Sequence, residues 1–177
     1  SAIFVAKTAF DYLRFSEWFS YSECVQDGVY ITAGGRIAIA PEKNLLFFSV
    51  GTFAPAIRIK NPDKSGSSRA QNSESVFGKI LAIDLKTKEY EIFSSGHRNP
   101  QGLFWTGEHL LATEHGPFGG DEVNVIYKDK NYGWPEVSYG EVYGYLSQRG
   151  EQIYGKSHAR HGFAEPVYAF VPSIGIS

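Results

Sequence analysis

From Gly28 onward the chain is cut into short β-branched and aromatic runs by turn signals, and this punctuation most limits what it can fold into. Val29–Thr32 is one run. Arg36–Ala40 alternates and stops at Pro41-Glu42-Lys43-Asn44, and Leu45–Val50 ends at Gly51. Lys79–Asp84 and Glu89–Phe93 are joined by residues 85–88 as a hairpin. Gly102–Trp105 and His109–Thr113 pair around Thr106-Gly107-Glu108. Glu122–Tyr127 follows, then a long irregular section over 133–164, then a last strand at Pro166–Val171. Many short antiparallel strands predict an all-β sandwich, barrel or propeller.

An internal echo favours the propeller. Gly35-Arg36-Ile37-Ala38-Ile39 followed by Leu45–Gly51 resembles Gln101-Gly102-Leu103-Phe104-Trp105 followed by His109–Gly116. Each is an entry strand, a tight turn, and an apolar strand running into a glycine-bearing loop. Two stretches lie outside this pattern. Ala9–Phe19 is expected to form a short helix within an N-terminal segment, 1–27. Residues 61–75 contain almost nothing to bury and are expected to form an exposed polar loop within the 28–177 unit.

Charge excludes several function classes. The net charge is −2 with no basic run, so the footprint of a nucleic-acid binder is missing. No apolar run reaches membrane-spanning length. Lys7, Asp11, Arg14 and Glu17 interrupt the first nineteen residues, which read as neither a signal peptide nor a span. Cys24 is the one cysteine, so no internal disulfide forms, and a lone cysteine reads as filler rather than nucleophile. No Gly-x-Ser-x-Gly, Walker A or GxGxxG motif is present.

Chemistry concentrates between Gly96 and Tyr139. In His97-Arg98-Asn99-Pro100, the proline biases Asn99 to an extended backbone and a strand follows. A guanidinium and an amide at a strand's start can hold a carboxylate or quinone oxygen, or can form an Arg–Asp bridge with an Asx turn. In Glu114-His115-Gly116-Pro117-Phe118-Gly119-Gly120-Asp121-Glu122, a Gly/Pro loop presents carbonyls and Glu122 supplies charge. That donor set suits calcium, or else it is a glycine-rich loop with solvated acids. Zinc is disfavoured, because no cysteine or paired histidine lies at ligand spacing; His158 and His161 are three apart in a stretch of unclear structure. A strand and turn after Glu122 would return Tyr132 of Asn131-Tyr132-Gly133-Trp134-Pro135 toward it, and Trp134 fits an ordinary core.

Together these motifs resemble the soluble quinoprotein glucose/sorbosone dehydrogenases. They are carried by Gly96–Leu103, Glu114–Pro117, Gly119–Asn124 and Asn131–Pro135, with further matches at Gly35-Arg36-Ile37, Gly78–Leu81, Glu165–Tyr168 and Pro172–Ile174. The resemblance spans about residues 28–177. It implies an all-β fold, part of a six-bladed β-propeller, and an oxidoreductase using pyrroloquinoline quinone (PQQ) and Ca2+. Hydride would pass from a hydroxyl of a small sugar or polyol to the quinone, then on to an external electron acceptor. Arg98 and Asn99 would contact PQQ, with Tyr143, Tyr168, Ser173, Ile174 and Gly175 as further contacts. The Gly116 and Pro117 carbonyls would lie at the cofactor calcium, and Glu122 and Tyr132 at a structural one. The resemblance also implies a periplasmic or secreted location. Two departures stand out. The family's base is a histidine just upstream of the first Gly-Arg, and that position is Thr32 here. The chain also stops at Ser177, where the family's later blades follow, so a fragment of a longer chain is expected. An alternative is a non-enzymatic propeller of the same superfamily that has lost its base and binds a protein or glycan.

Overall fold

The computed structural model describes residues 2–8, 13–24, 32–53, 67–141 and 157–177. Their strands form three antiparallel units. A hairpin pairs β1 (Ala2–Thr8) with β2 (Leu13–Ser20). The first sheet is an up-and-down meander of β3 (Gly34–Ala40), β4 (Leu45–Val50), β5 (Lys79–Asp84) and β6 (Tyr90–Ser95). The second runs β7 (Pro100–Trp105), β8 (Leu110–Glu114) and β9 (Asp121–Ile126) in the same manner. The two-residue β10 (Lys130–Asn131) adds in parallel to β6, and β11 (Tyr168–Phe170) adds antiparallel to β9. Two four-stranded meanders of matching order are blades, so the expected partial β-propeller is the architecture found.

The expected helix over Ala9–Phe19 is not formed. Leu13–Ser20 is a strand, and residues 9–12 lie outside the described residues. Period two wins over period 3.6 because Phe19 and Tyr21, two apart, both enter the core, with Ile3 opposite Phe19 on β1. These three pack on Leu46, Phe48, Val50, Leu81 and Ile83, so the hairpin covers one face of the first sheet. Phe19 meets Tyr90 edge-on with ring centres 5.5 Å apart.

Part of the expected polar loop is docked, although Asn72, Ser73 and Glu74 are exposed as expected. Ser67–Gln71 makes a short 3-10 turn, and Ala70 has no exposed surface. The Lys79 ammonium donates to the carbonyls of Arg69, Ala70 and Phe77 at 2.9–3.0 Å. Gln71 donates to the Trp134 carbonyl at 2.6 Å and accepts from the Asn131 amide at 2.7 Å. The low apolar content hid these polar anchors. The run Val29–Ile31 lies outside the described residues, as do 61–66.

The blades are joined along β3 and β7. A shared core of Ala38, Ala40, Phe47, Ile80, Leu110, Ala112, Ile126 and Tyr132 fills the space between them. Hydrogen bonds cross the same seam. Gly34 N–H donates to Asn99 Oδ1 at 3.1 Å, and the Ser49 hydroxyl donates to the Pro100 carbonyl at 2.9 Å. Arg36 Nε donates to the Gln101 carbonyl. The residues entering β7 are thereby fixed against the first blade.

Candidate functional site

Arg98 and Asn99 sit where the chain leaves the first blade and enters β7. Pro100 is the first residue of that strand, the place in a sheet that tolerates a missing N–H. Arg98 is held at three points. Its own N–H donates to Glu114 Oε2 at 3.0 Å. Its carbonyl accepts the Thr52 N–H at 3.0 Å. Its Nη1 donates to the carbonyls of His115 and Gly116 at 3.0 and 2.8 Å, and the guanidinium lies 5.3 Å from the Trp134 ring centre.

Arg98, Glu114, Gly116, Glu122, Tyr132, Trp134 and His158 surround a cavity of about 10 Å³, room for a single water-sized occupant. Glu122 and Tyr132, expected from the sequence to come near each other, line this one cavity. Glu114 and Glu122 are opposite each other in the β8–β9 ladder, and both are buried. Burial, with the Glu114 charge next in weight, pushes the Glu122 carboxyl up to about 8. Asn124 Nδ2 donates to Glu122 at 3.3 Å, while the buried Asn124 Oδ1 has no hydrogen-bond donor. His158 Nε2 is 3.4 Å from Glu122, and burial lowers the imidazole's pKa. His161 is exposed and bonds the Ser157 carbonyl, so the two histidines do not converge.

His97 is fully buried beneath the site. Its ring accepts or donates at 2.8 Å with the Ser94 hydroxyl, lies 3.5 Å from Glu114, and stacks on Tyr132 with centres 4.8 Å apart. The Tyr132 hydroxyl donates to the Val125 carbonyl, and burial pushes its pKa up to about 12. Gly116 is required by packing: a Cβ there would collide with the carbonyls of Gly119 and Gly120.

Asp121 binds the edges of the site together. It has no exposed surface. Oδ1 accepts the Gly116 N–H at 3.1 Å, and Oδ2 accepts the N–H groups of Ile174, Gly175 and Ile176 at 3.2, 2.7 and 3.1 Å. Burial acts to raise its pKa, but the Ser173 hydrogen bond and these backbone donors outweigh it and hold the carboxyl below its usual range. The expected cofactor contacts Ser173, Ile174 and Gly175 thus direct these donors at Asp121. Tyr168 is 59% exposed on the outermost strand, its ring against Phe170. Tyr143 lies outside the described residues.

Thr32 has a φ of 65°, unfavourable for a β-branched residue. Its hydroxyl lies 3.1 Å from that of Thr52, whose N–H reaches the Arg98 carbonyl. It is therefore linked to Arg98 through one intervening residue, Thr52.

Sequence reasoning passed over Glu114, Asp121 and His158 as site residues. Glu114 had a readable signal. It continues the buried alternation Leu110, Ala112, Glu114, where an apolar side chain is the expectation. Asp121 lies inside the Gly119–Asn124 motif and His158 is read from the sequence only alongside His161, but their roles depend on partners far away in the chain, at Ile174–Ile176 and at Glu122.

Residues 21–177 match the family described as Glucose / Sorbosone dehydrogenase. The chain is 31% identical over 133 residues to quinoprotein glucose dehydrogenase B of Acinetobacter calcoaceticus, covering 63% of this chain and 27% of that protein. A crystal structure of a glucose dehydrogenase superposes with a TM-score of 0.73 at 28% identity, over 99% of this chain and 51% of the other. The PQQ-bound aldose sugar dehydrogenase of Streptomyces coelicolor gives a TM-score of 0.54 at 30% identity, over 89% and 39%. The chain spans about half the length of these solved relatives or less.

Proposed function

Because the chain belongs to the glucose/sorbosone dehydrogenase family, we propose that it carries part of a PQQ- and calcium-dependent sugar (aldose) dehydrogenase. The observation that carries this reading is the convergence of Arg98, Gly116, Glu122 and Tyr132 on one small cavity.

The residues fit both groups. Two buried carboxyl groups line a one-sphere cavity, the Asn124 amide oxygen next to Glu122 has no donor, and the Arg98 guanidinium in the same lining is spent on carbonyls, so oxygen acceptors are left for a cation. Among the described residues no three His, Cys, Asp or Glu side chains are arranged to hold one ion. An ion here would rest on Glu122 and main-chain oxygens including that of Tyr132, which is calcium chemistry rather than zinc chemistry. The Gly116 and Pro117 carbonyls would serve the cofactor calcium. Gly116 O is the acceptor of Arg98 in this structure, so an anionic ligand that draws the guanidinium away also frees that oxygen for a cation.

Arg98 and Asn99 would orient PQQ, which when bound supplies the two-electron acceptor for hydride from a sugar hydroxyl. Glu114 fixes the Arg98 main chain and Trp134 lies against its guanidinium. An external acceptor would reoxidise the cofactor, and a periplasmic or secreted location follows the same reading. No helix among the described residues is long and apolar enough to cross a membrane.

One observation favours a second reading. Thr32 stands where the family's histidine base is expected, and an alcohol cannot take a proton near neutral pH as imidazole can. A non-enzymatic propeller that has lost its base fits that residue. Titrating PQQ with Ca2+ into the protein, then following dye reduction by aldoses, separates the two. Saturable binding with turnover supports the dehydrogenase; binding without turnover supports the binding module; no binding overturns the quinone site.

A further inference from the structure

The Gly116 loop and the Ser173–Ile176 segment are far apart in sequence, and each offers backbone groups to the same place. Asp121 stands between them, and backbone N–H groups from both sides end on its carboxylate. Oδ1 takes the Gly116 N–H, and Oδ2 takes three consecutive N–H groups from Ile174 to Ile176. Three successive N–H groups aimed at one point make a concave anion site, which in other settings would be open to a ligand. Here the chain fills it with its own carboxylate, which has no exposed surface. The same Oδ1 lies 3.8 Å from His115 Nδ1, and the other ring nitrogen of His115 is 2.9 Å from Gln101 Oε1 on β7. Gly120, the residue before Asp121, donates its N–H to the Phe170 carbonyl, which brings β11 to the same junction.

We infer that Asp121 is a positioning residue, a buried clasp that locks the carbonyl-bearing Gly116 loop to the Ile174–Ile176 segment so that both present one rigid wall to the cofactor. The cofactor part of this statement rests on the proposed PQQ function; the clasp itself does not. A carboxylate suits the task because only an acceptor-only group with two oxygens can serve donors on both sides at once. Asparagine of the same shape would keep one oxygen and turn an NH2 group toward the N–H groups on the other side. One of the two segments would then be released while the strands stay in place.

The test uses D121N and D121E in the full protein as encoded, with two independent readouts. Hydrogen exchange is followed by mass spectrometry over peptides spanning 114–121 and 172–177, with peptides from β4 and β5 as the internal reference. PQQ affinity in saturating Ca2+ is followed by the quinone absorbance. For D121N we expect at least tenfold faster exchange at Gly116 or at Ile174–Ile176, unchanged exchange in β4 and β5, and about tenfold weaker PQQ binding. D121E, which keeps both acceptor oxygens, is expected to recover part of each. Unchanged exchange in both target peptides overturns the clasp, as does an equal rise through β4 and β5. If the unmodified protein binds no PQQ, the functional reading falls and the exchange experiment still decides the clasp. Local exchange without any change in PQQ affinity overturns the link between clasp and cofactor.

Discussion

Glu114 and Glu122 are directly opposite each other on β8 and β9, both buried, with no lysine or arginine side chain paired to either carboxylate among the salt bridges of the described residues. Two acids lining one small cavity repel, and burial penalises each charge. Removing one charge therefore has opposite consequences with and without a cation. In chelator, Glu122→Gln is expected to stabilise the protein by about 1 kcal/mol. In millimolar Ca2+ the stabilisation that calcium gives the parent should be lost. Thermal melts of both proteins with EDTA and with Ca2+ check this, and a Glu122→Gln variant that keeps the calcium shift excludes Glu122 as a ligand.

Arg98 serves two carbonyls from one nitrogen and lies over Trp134, a task for a planar fork rather than a point charge. Arg98→Lys keeps the charge but loses the stacked plane. We expect PQQ affinity to fall by about 10- to 100-fold, roughly 1.5–3 kcal/mol. The melting temperature should drop by only a few degrees. Absorbance titration beside a thermal melt distinguishes lost binding from lost folding.

Lys79 is buried and caps three carbonyls of the 67–77 segment. Desolvation brings its pKa down to about 8, opposed in part by the Glu23 charge. The unfolded lysine titrates near 10.5. Between those two values the unfolded chain binds more protons, so the lysine's contribution to stability becomes more favourable as pH rises through the window. Below about 8 both states are protonated and the contribution is flat. Lys79→Met should cost about 2–4 kcal/mol at pH 7, because three carbonyls lose their donor. The stability gap between the parent and this variant should then widen between pH 8 and 10. Urea unfolding at pH 7, 8, 9 and 10 measures both.

Thr32 combines an unfavourable left-handed backbone with the position expected for the base. Histidine tolerates that conformation better than a β-branched residue does. Thr32→His is therefore expected to fold, with the relieved backbone set against loss of the buried contact to Thr52. In a protein that binds PQQ but turns over slowly, it should raise aldose oxidation by about 100-fold or more. Steady-state dye reduction measures the effect, and an unchanged rate removes Thr32 from the catalytic argument.

Much of the fold was legible because its strands are short, bounded by strong turn residues, and mostly local in their pairing. The hairpin at the N-terminus was not, since Glu17 and Trp18 obscure the alternation that Phe19 and Tyr21 reveal only when packed. The loop over 61–75 misled for a different reason. Its docked part is anchored by Lys79 and Gln71, through hydrogen bonds that hydrophobic patterning does not register. At the site, contiguous motifs pointed to Arg98, Gly116, Glu122 and Tyr132. Asp121 gains its role from donors more than 50 residues away in sequence, at Ile174–Ile176, and such a meeting is a property of topology.

If Arg98 and Asn99 hold the cofactor as proposed, the seam between the blades also sets the polarity of what they offer it. The Gly34 N–H takes the carbonyl oxygen of the Asn99 amide, so what Asn99 has left to offer is its NH2 group. Its neighbour Arg98 carries donors alone. In the proposed reading the pair would favour a guest that brings lone pairs, as carboxylates and quinone oxygens do, while the nearby Glu114 and Glu122 are left for a cation. On that reading, a hydrogen bond that joins two blades would also help select the kind of molecule the site holds.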